Sequence, residues 1–194
     1  MTISANNEHV EYERSDDQLY REFLHGKLES YDELMLRYED SLLLYLNGYL
    51  HHWQDAEDLM IEAFARILAK KPKISEGNFR AYLFKVGRNL ASHHHAWRKK
   101  TEAFSLEELN IEIPDRKNPE EEMQEKNRSQ VLYRCLGRTE KDVREALFLV
   151  YMEDMSYTQA AMVLGVSPKK VDNLLVKGKK LLREELEKEG FEWE

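Results

Sequence analysis

The sequence predicts an all-α protein: two small helical bundles joined by an acidic linker, the second containing a helix-turn-helix. Three observations carry this expectation. Only four Pro and eight Gly occur in 194 residues, and the apolar residues recur at helical spacing rather than in β-branched alternation. Residues 102–118 turn acidic, carry Pro114 and lose the apolar stripe, which reads as a linker between folded units. Residues 156–175 combine small Ala160 and Ala161 with Gly165 at a tight turn and Ser167-Pro168 at the start of a further helix.

In chain order, residues 1–15 are polar and read as a mobile tail. The first bundle is expected over 16–100. A short amphipathic helix carries Leu19, Tyr20, Phe23 and Leu24 and stops near Gly26. Ser30 opens a longer helix through Leu34, Leu36, Tyr38, Leu42, Tyr45, Leu46 and Tyr49. A third helix runs from about Asp55 to Lys70, before Pro72, and the polar loop 71–77 follows. The fourth starts at Asn78, a plausible cap, and reaches about Lys100. Four helices with short connections can bury one core. After the linker at 101–118 comes the second bundle, 119–190, opening at Asn118-Pro119-Glu120, where Pro suits a first helical position. Thr139-Glu140-Lys141-Asp142 resembles a capping box for its next helix. In the last helix Val171, Leu174, Leu175, Gly178, Leu181 and Leu182 share one face.

Composition narrows the function. No run of about 18 apolar residues occurs and the N-terminus lacks a basic-then-apolar leader, so no membrane insertion is expected. A single Cys135 cannot form an internal disulfide and suits a cytoplasmic location. The net charge of −8 is unevenly distributed. Residues 66–100 hold ten Lys/Arg against Glu76 alone, and residues 165–183 hold six against Asp172. Residues 8–40 and 102–125 are each acidic by a net −7. Two basic blocks between acidic ones describe localised anion-binding surfaces, and the acidic blocks are expected to repel DNA or cover the basic faces in the isolated chain.

The fourth helix carries Phe79, Leu83, Val86, Leu90 and Trp97 as a core stripe, with Arg80, Phe84, Lys85, Arg88, Ser92, His95, Arg98 and Lys99 opposite. Phe84 among cations has two readings. It is a ring offered to unstacked bases beside a phosphate backbone, or a ring tucked against a neighbour; the helical wheel does not choose. In the third helix Asp55, Asp58 and Glu62 align beside a wide apolar arc of Leu59, Met60, Ala63, Phe64 and Ile67. Carboxylates there stabilise a helix start, and an acidic–apolar surface also serves a protein partner. His51-His52 and His93-His94-His95 point about 100° apart along a helix and converge on no ion. No nucleophile triad, phosphate loop or glycine fingerprint is present, so neither catalysis, metal nor cofactor is expected. Opposite the apolar face of the last helix, Lys169, Asn173, Val176 and Lys180 suit phosphates and base edges in a major groove.

These residues resemble a known family, the bacterial RNA polymerase sigma factors of the extracytoplasmic-function type. Asp55-Ala56-Glu57-Asp58-Leu59 with Glu62-Ala63-Phe64 is similar to the family's polymerase-binding region 2.2. Residues 79–91 are similar to its −10 regions 2.3 and 2.4, and residues 139–183 resemble region 4 with its −35-reading helix-turn-helix. The resemblance covers about residues 16–188 with both domains in family order. It implies that Asp55, Glu57, Asp58, Met60, Glu62 and Phe64 bind core RNA polymerase, on the coiled coil of its clamp subunit. It implies that Lys71, Lys73, Asn78, Arg80, Phe84, Lys85, Arg88, Asn89, His95, Arg98 and Lys99 open and hold the single-stranded −10 element. Ser167, Lys169, Lys170, Asn173, Val176, Lys177 and Lys180 would read the −35 duplex, and an anti-sigma protein would hold the factor inactive. Ser92-His93-His94-His95-Ala96-Trp97 stands where the family often has an Ile-Asp-Tyr-like segment and an arginine-rich run, and Asp172 and Leu174 stand at commonly basic positions; these bear on promoter sequence. A one-component repressor would not need the first bundle, and an adaptor that binds anti-sigma proteins would need neither basic block. Residues 71–100 argue against both.

Overall fold

Capping and apolar spacing set the helix boundaries. The computed structural model describes residues 14–101 and 139–188, apart from the side chains of 95–101 and 185. The tail, the linker and the helix start at 118–120 lie outside the described residues. Helix α1 (Asp16–Leu24) begins where the Ser15 hydroxyl accepts the Gln18 N–H at 3.3 Å. Leu19, Tyr20 and Phe23 turn inward, while Leu24 stays exposed. Helix α2 (Leu28–Leu50) starts two residues before Ser30. Ser30 is buried, and its hydroxyl donates to Glu22 at 2.6 Å. That bond, with those from Lys27 and Gln18, holds the Glu22 carboxyl down at about 2.

Helix α3 (Trp53–Lys70) is capped by His52, whose Nδ1 accepts the Asp55 N–H at 3.2 Å. It ends at Lys71 in the left-handed conformation (φ 44°), with the Lys71 N–H on the Ile67 carbonyl at 2.9 Å. Helix α4 (Phe79–Thr101) follows Asn78, whose carbonyl accepts the Tyr82 N–H at 2.9 Å. The four helices bury Phe23, Tyr31, Leu34, Leu42, Leu46, Phe64, Ile67, Phe79 and Leu83 together. Two tyrosines pin α3 and its exit: Tyr31 donates to the Phe64 carbonyl and Tyr20 to the Pro72 carbonyl, each at 2.6 Å.

Among the described residues the second bundle comprises α5 (Lys141–Leu147), a π-helical turn (Phe148–Met152), α6 (Tyr157–Leu164) and α7 (Pro168–Lys188). The capping box expected at Thr139 does not form. Thr139 is buried, Glu140 precedes the helix, and no side chain caps it. An Asp at the third position is one methylene too short to reach back to the cap. The reciprocal box lies instead at α6: the Ser156 hydroxyl accepts the Gln159 N–H and the Gln159 side chain accepts the Ser156 N–H. Gly165 (φ 70°) turns the chain, and Ser167 accepts the Lys170 N–H at 3.2 Å to start α7. Gly178 lets α7 lie on α5, because a Cβ there would sit 2.9 Å from both Val143 Cγ1 and Leu147 Cδ1.

The two bundles dock through α4. Tyr45 of α2 touches Phe84 (centroids 5.3 Å apart) and Phe148 of the π turn (5.6 Å). Arg88 pairs with Glu145 at 2.9 Å, Arg80 donates to the Asp154 carbonyl at 3.4 Å, and Gln159 donates to the Gly77 carbonyl at 2.6 Å. Lys141 lies 3.4 Å from the centroid of the Tyr49 ring. No described helix is long and apolar enough to cross a membrane.

Candidate nucleic-acid interface

Local sequence places a cleft between α3 and α4. The left-handed stop at Lys71 and the turn at Gly77 (φ 72°) reverse the chain in seven residues, so the end of α3 faces the start of α4. Arg66, Ile67 and Lys70 from α3, Pro72 from the loop, and Tyr82, Val86 and Asn89 from α4 line an open cleft of about 120 Å³. Its chemistry is two cations beside a phenol ring, apolar side chains and an amide. That set can hold a phosphate, stack a flat ring and hydrogen-bond its edge.

The residues expected to hold the −10 strand divide over this geometry. Asn89 lines the cleft, and Lys85 is exposed on the same helix. Lys73 is exposed in the loop, and the Asn78 side chain donates to the Glu76 carbonyl at 3.0 Å. Lys71 turns elsewhere, its ammonium 5.0 Å from the Phe23 ring centroid. Side chains of His95, Arg98 and Lys99, like that of Trp97, lie outside the described residues. Phe84 is not on an exposed face: it is 0% exposed and packs on Tyr45. Arg80 and Arg88 are half-buried and reach toward the second bundle. Residues 80, 84 and 88 follow one another at helical spacing; Tyr45 of α2 meets the middle one and the second bundle the outer two. The aromatic side chain in the cleft is Tyr82. Together with Arg66, Lys70 and Val86 it was missed; its signal was the i, i+4, i+7 stripe of Tyr82, Val86 and Asn89 across from Arg66 and Lys70.

The second surface is α7. Val171, Leu174 and Leu175 are buried, while Ser167, Lys169, Lys170, Asn173, Val176, Lys177 and Lys180 are all exposed, Val176 at 66%. The helix thus presents the expected face. Its charge is partly engaged: Lys169 meets Asp172 at 2.7 Å, Lys177 meets Glu140 at 2.7 Å, and Lys180 meets Glu184 at 4.0 Å. The hydrogen bond to Asp172 pushes the Lys169 ammonium pKa up.

The third surface is the acidic face of α3. Asp58 is exposed, and Glu57, Met60 and Glu62 are half-buried. Asp55 faces His52 at 3.1 Å and His94 at 3.7 Å, and Glu62 pairs with Arg66 at 2.6 Å. Phe64 does not belong to this face. It is 2% exposed, because its ring packs edge-on against Tyr31, 6.4 Å between centroids, in the core. The exposed apolar residue beside Asp58 and Glu62 is Ile61, at 54%. No group of three His, Cys, Asp or Glu among the described residues could hold a metal ion.

Comparison with known proteins matches this arrangement to one family. The family described as Sigma-70 region 2 matches residues 34–101, and that described as Sigma-70, region 4 matches residues 129–182. An ECF RNA polymerase sigma factor, SigE of Mycolicibacterium smegmatis, is 28% identical over 169 residues, covering 85% of this chain and 65% of that protein. The RNA polymerase sigma-H factor of Pseudomonas aeruginosa is 25% identical over 166 residues, covering 78% of this chain and 83% of that one. In fold, the chain is similar to CnrH in its complex with the cytosolic domain of CnrY: TM-score 0.63 and 20% identity, covering 89% of this chain and 97% of that one. It is similar also to the sigma factor RpoE bound to the anti-sigma factor NepR from Bartonella quintana: TM-score 0.66 and 20% identity, covering 82% and 98%. The chain belongs to the sigma-70 family, as a sigma factor of the extracytoplasmic-function type with regions 2 and 4.

Proposed function

We propose that this chain binds core RNA polymerase through the outer face of α3 and directs it to promoters. In this reading α7 docks on the −35 duplex while the α3–α4 cleft holds a base and phosphate of the melted −10 strand. The observation that carries it is the cleft, where Arg66 and Lys70 stand opposite Tyr82, Val86 and Asn89. The polymerase surface becomes Glu57, Asp58, Ile61 and Glu62, an acidic edge around one exposed apolar side chain. The −35 surface keeps Lys169, Lys170, Asn173, Val176 and Lys180. The working units are residues 16–100 and 119–190, with 101–118 as the linker. Both the polymerase and the DNA place the protein in the cytoplasm. Control by an anti-sigma protein is part of the proposal, supported by the fold shared with a sigma factor solved in complex with an anti-sigma factor.

Run-off transcription from genomic fragments with purified core polymerase tests the function. Discrete transcripts that depend on the added protein are expected. Their absence, with the protein bound to polymerase or not, overturns the reading.

A further inference from the structure

We infer that α1 is a brace for the loop 71–78, and that its Asp17 and Tyr20 are positioning residues for the −10 strand although neither lines the cleft. The inference rests on the function proposed above. Asp17, Tyr20 and Arg21 stand at i, i+3 and i+4, so they share one face of α1. The loop lies across that face. The Tyr20 hydroxyl donates to the Pro72 carbonyl at 2.6 Å, and Arg21 meets Glu76 at 3.3 Å. Both oxygens of Asp17 accept the Gly77 N–H, each at 2.9 Å. Further along α1, the Phe23 ring takes the Lys71 ammonium, 5.0 Å from its centroid. Loop and helix therefore run antiparallel, with residues 71, 72 and 77 laid against 23, 20 and 17. Pro72 is a wall of the cleft, so fixing its carbonyl fixes one lip.

The loop needs such support. Lys71 and Gly77 both sit in the left-handed conformation, and no helix holds the chain between them. A segment of that kind left loose would have to be ordered when the strand binds, which costs affinity. Here Ile74 packs on the core, α1 anchors both ends, and Lys73 and Ser75 stay exposed. The anchors are unequal. Tyr20 is 5% exposed, and its ring lies 5.3 Å from that of Phe79, the first residue of α4, and 5.8 Å from that of Phe23. Burial, with the Tyr82 phenol nearby, pushes its hydroxyl up to about 12, so it stays a donor at neutral pH. The Arg21–Glu76 pair is exposed on both sides and adds little. Gln159 of the second bundle touches the Gly77 carbonyl, at the end of the loop away from Pro72.

Two measurements on the full chain test the brace. One is amide hydrogen exchange of the loop in the free protein. The other is run-off transcription with core polymerase, on a promoter recovered from genomic fragments and randomised through its −10 element. Tyr20→Phe keeps the ring and removes the hydroxyl, Asp17→Ala removes the acceptor, and Asp17→Asn keeps one acceptor oxygen without the charge. Tyr20→Phe with Asp17→Ala should speed exchange at Gly77 about tenfold or more. It should lower transcription from the preferred −10 sequences about three- to thirtyfold and flatten the base preference there. The −35 preference and pull-down of polymerase should stay at wild type. Asp17→Asn in place of Asp17→Ala should restore most of each effect. A merely structural role would lower transcription from every −10 sequence alike, and that result overturns the brace. So does unchanged exchange, or an unchanged base preference in a folded double variant. If circular dichroism shows the double variant unfolded, Tyr20→Phe alone decides, with the same flattening expected. A wild-type chain that yields no protein-dependent transcript rejects the proposed function and the brace together. Wild-type transcripts beside variants of unaltered preference reject the brace alone.

Discussion

Phe84 separates a stacking residue from a packing residue, and the structure sets the size of the difference. Its ring is fully buried and lies 5.3 Å from Tyr45, which in turn contacts Phe148. Removing a buried Phe ring to Ala costs about 3–5 kcal/mol through lost transfer free energy and the cavity left behind. Part of that, about 0.5–1.5 kcal/mol, is the aromatic contact itself. A domain of marginal stability, about 5–15 kcal/mol, does not absorb such a loss unnoticed. Phe84→Leu keeps most of the volume and should cost about 1.5 kcal/mol or less. In urea titrations Phe84→Ala is therefore expected to shift the midpoint strongly and Phe84→Leu slightly. In permanganate footprinting Phe84→Leu should open promoters as the wild type does, since a packed ring is replaced by a packed side chain. A wild-type midpoint for Phe84→Ala, or a lost bubble for a stably folded Phe84→Leu, would refute the packing argument.

Further expectations concern the other surfaces. Asp58→Arg with Ile61→Ala should abolish pull-down of core polymerase while leaving the thermal midpoint nearly unchanged, because both side chains are exposed; retained binding would move the interface elsewhere. Asp172→Asn frees Lys169 from a 2.7 Å pair, so holoenzyme should bind −35 duplex up to about fivefold tighter, with a salt dependence steeper by about one charge. An unchanged salt slope would mean that Lys169 never reaches phosphate. Closure of the two bundles should depend on pH. Burial pushes the Glu145 and Glu153 carboxyls up, outweighing Arg88 at the first and Arg80 at the second. Lys141 and Asp142 also face Glu145, with Tyr45 beside it, while Ser41 and Asp154 face Glu153. Carboxyls with raised pKa bind protons on closing, so their contribution is present at acid pH and lost as pH rises through the raised values. The radius of gyration should be smaller at acid than at alkaline pH, and Glu145→Gln should flatten the dependence; a radius independent of pH would contradict the sign.

Which elements could be read from sequence follows from how local their determinants are. The helix-turn-helix was legible because Ala160, Ala161, Gly165, Ser167 and Pro168 act within a turn of themselves. The same locality made the outward face of α7 readable, including Asn173 and Val176. The covered stripe of α4 was not legible, since a helical wheel gives direction but not what lies in that direction. Arg80 and Arg88 reach toward the second bundle and Phe84 packs on Tyr45 of α2, and only the placement of Tyr45, Glu145 and Asp154 distinguishes that from solvent. Phe64 failed for a related reason: it borders an acidic face in sequence, but the Tyr31 hydroxyl and ring on a helix some thirty residues earlier claim its position. The cleft needed two helices brought together by a loop, so Tyr82 and Lys70 became neighbours only in three dimensions.

The account's central claim is that the α3–α4 cleft holds the −10 strand while the chain is on polymerase. It is tested most directly by Tyr82→Ala in run-off transcription on two templates, one fully duplex and one with the −10 element already melted. The half-buried Tyr82 can be truncated without opening the core, and loss of one stacked base costs about 1–3 kcal/mol. The prediction is a roughly five- to hundredfold loss of transcript on the duplex template, largely restored on the melted one, with polymerase binding unchanged. Wild-type transcription by Tyr82→Ala on the duplex template would contradict the claim.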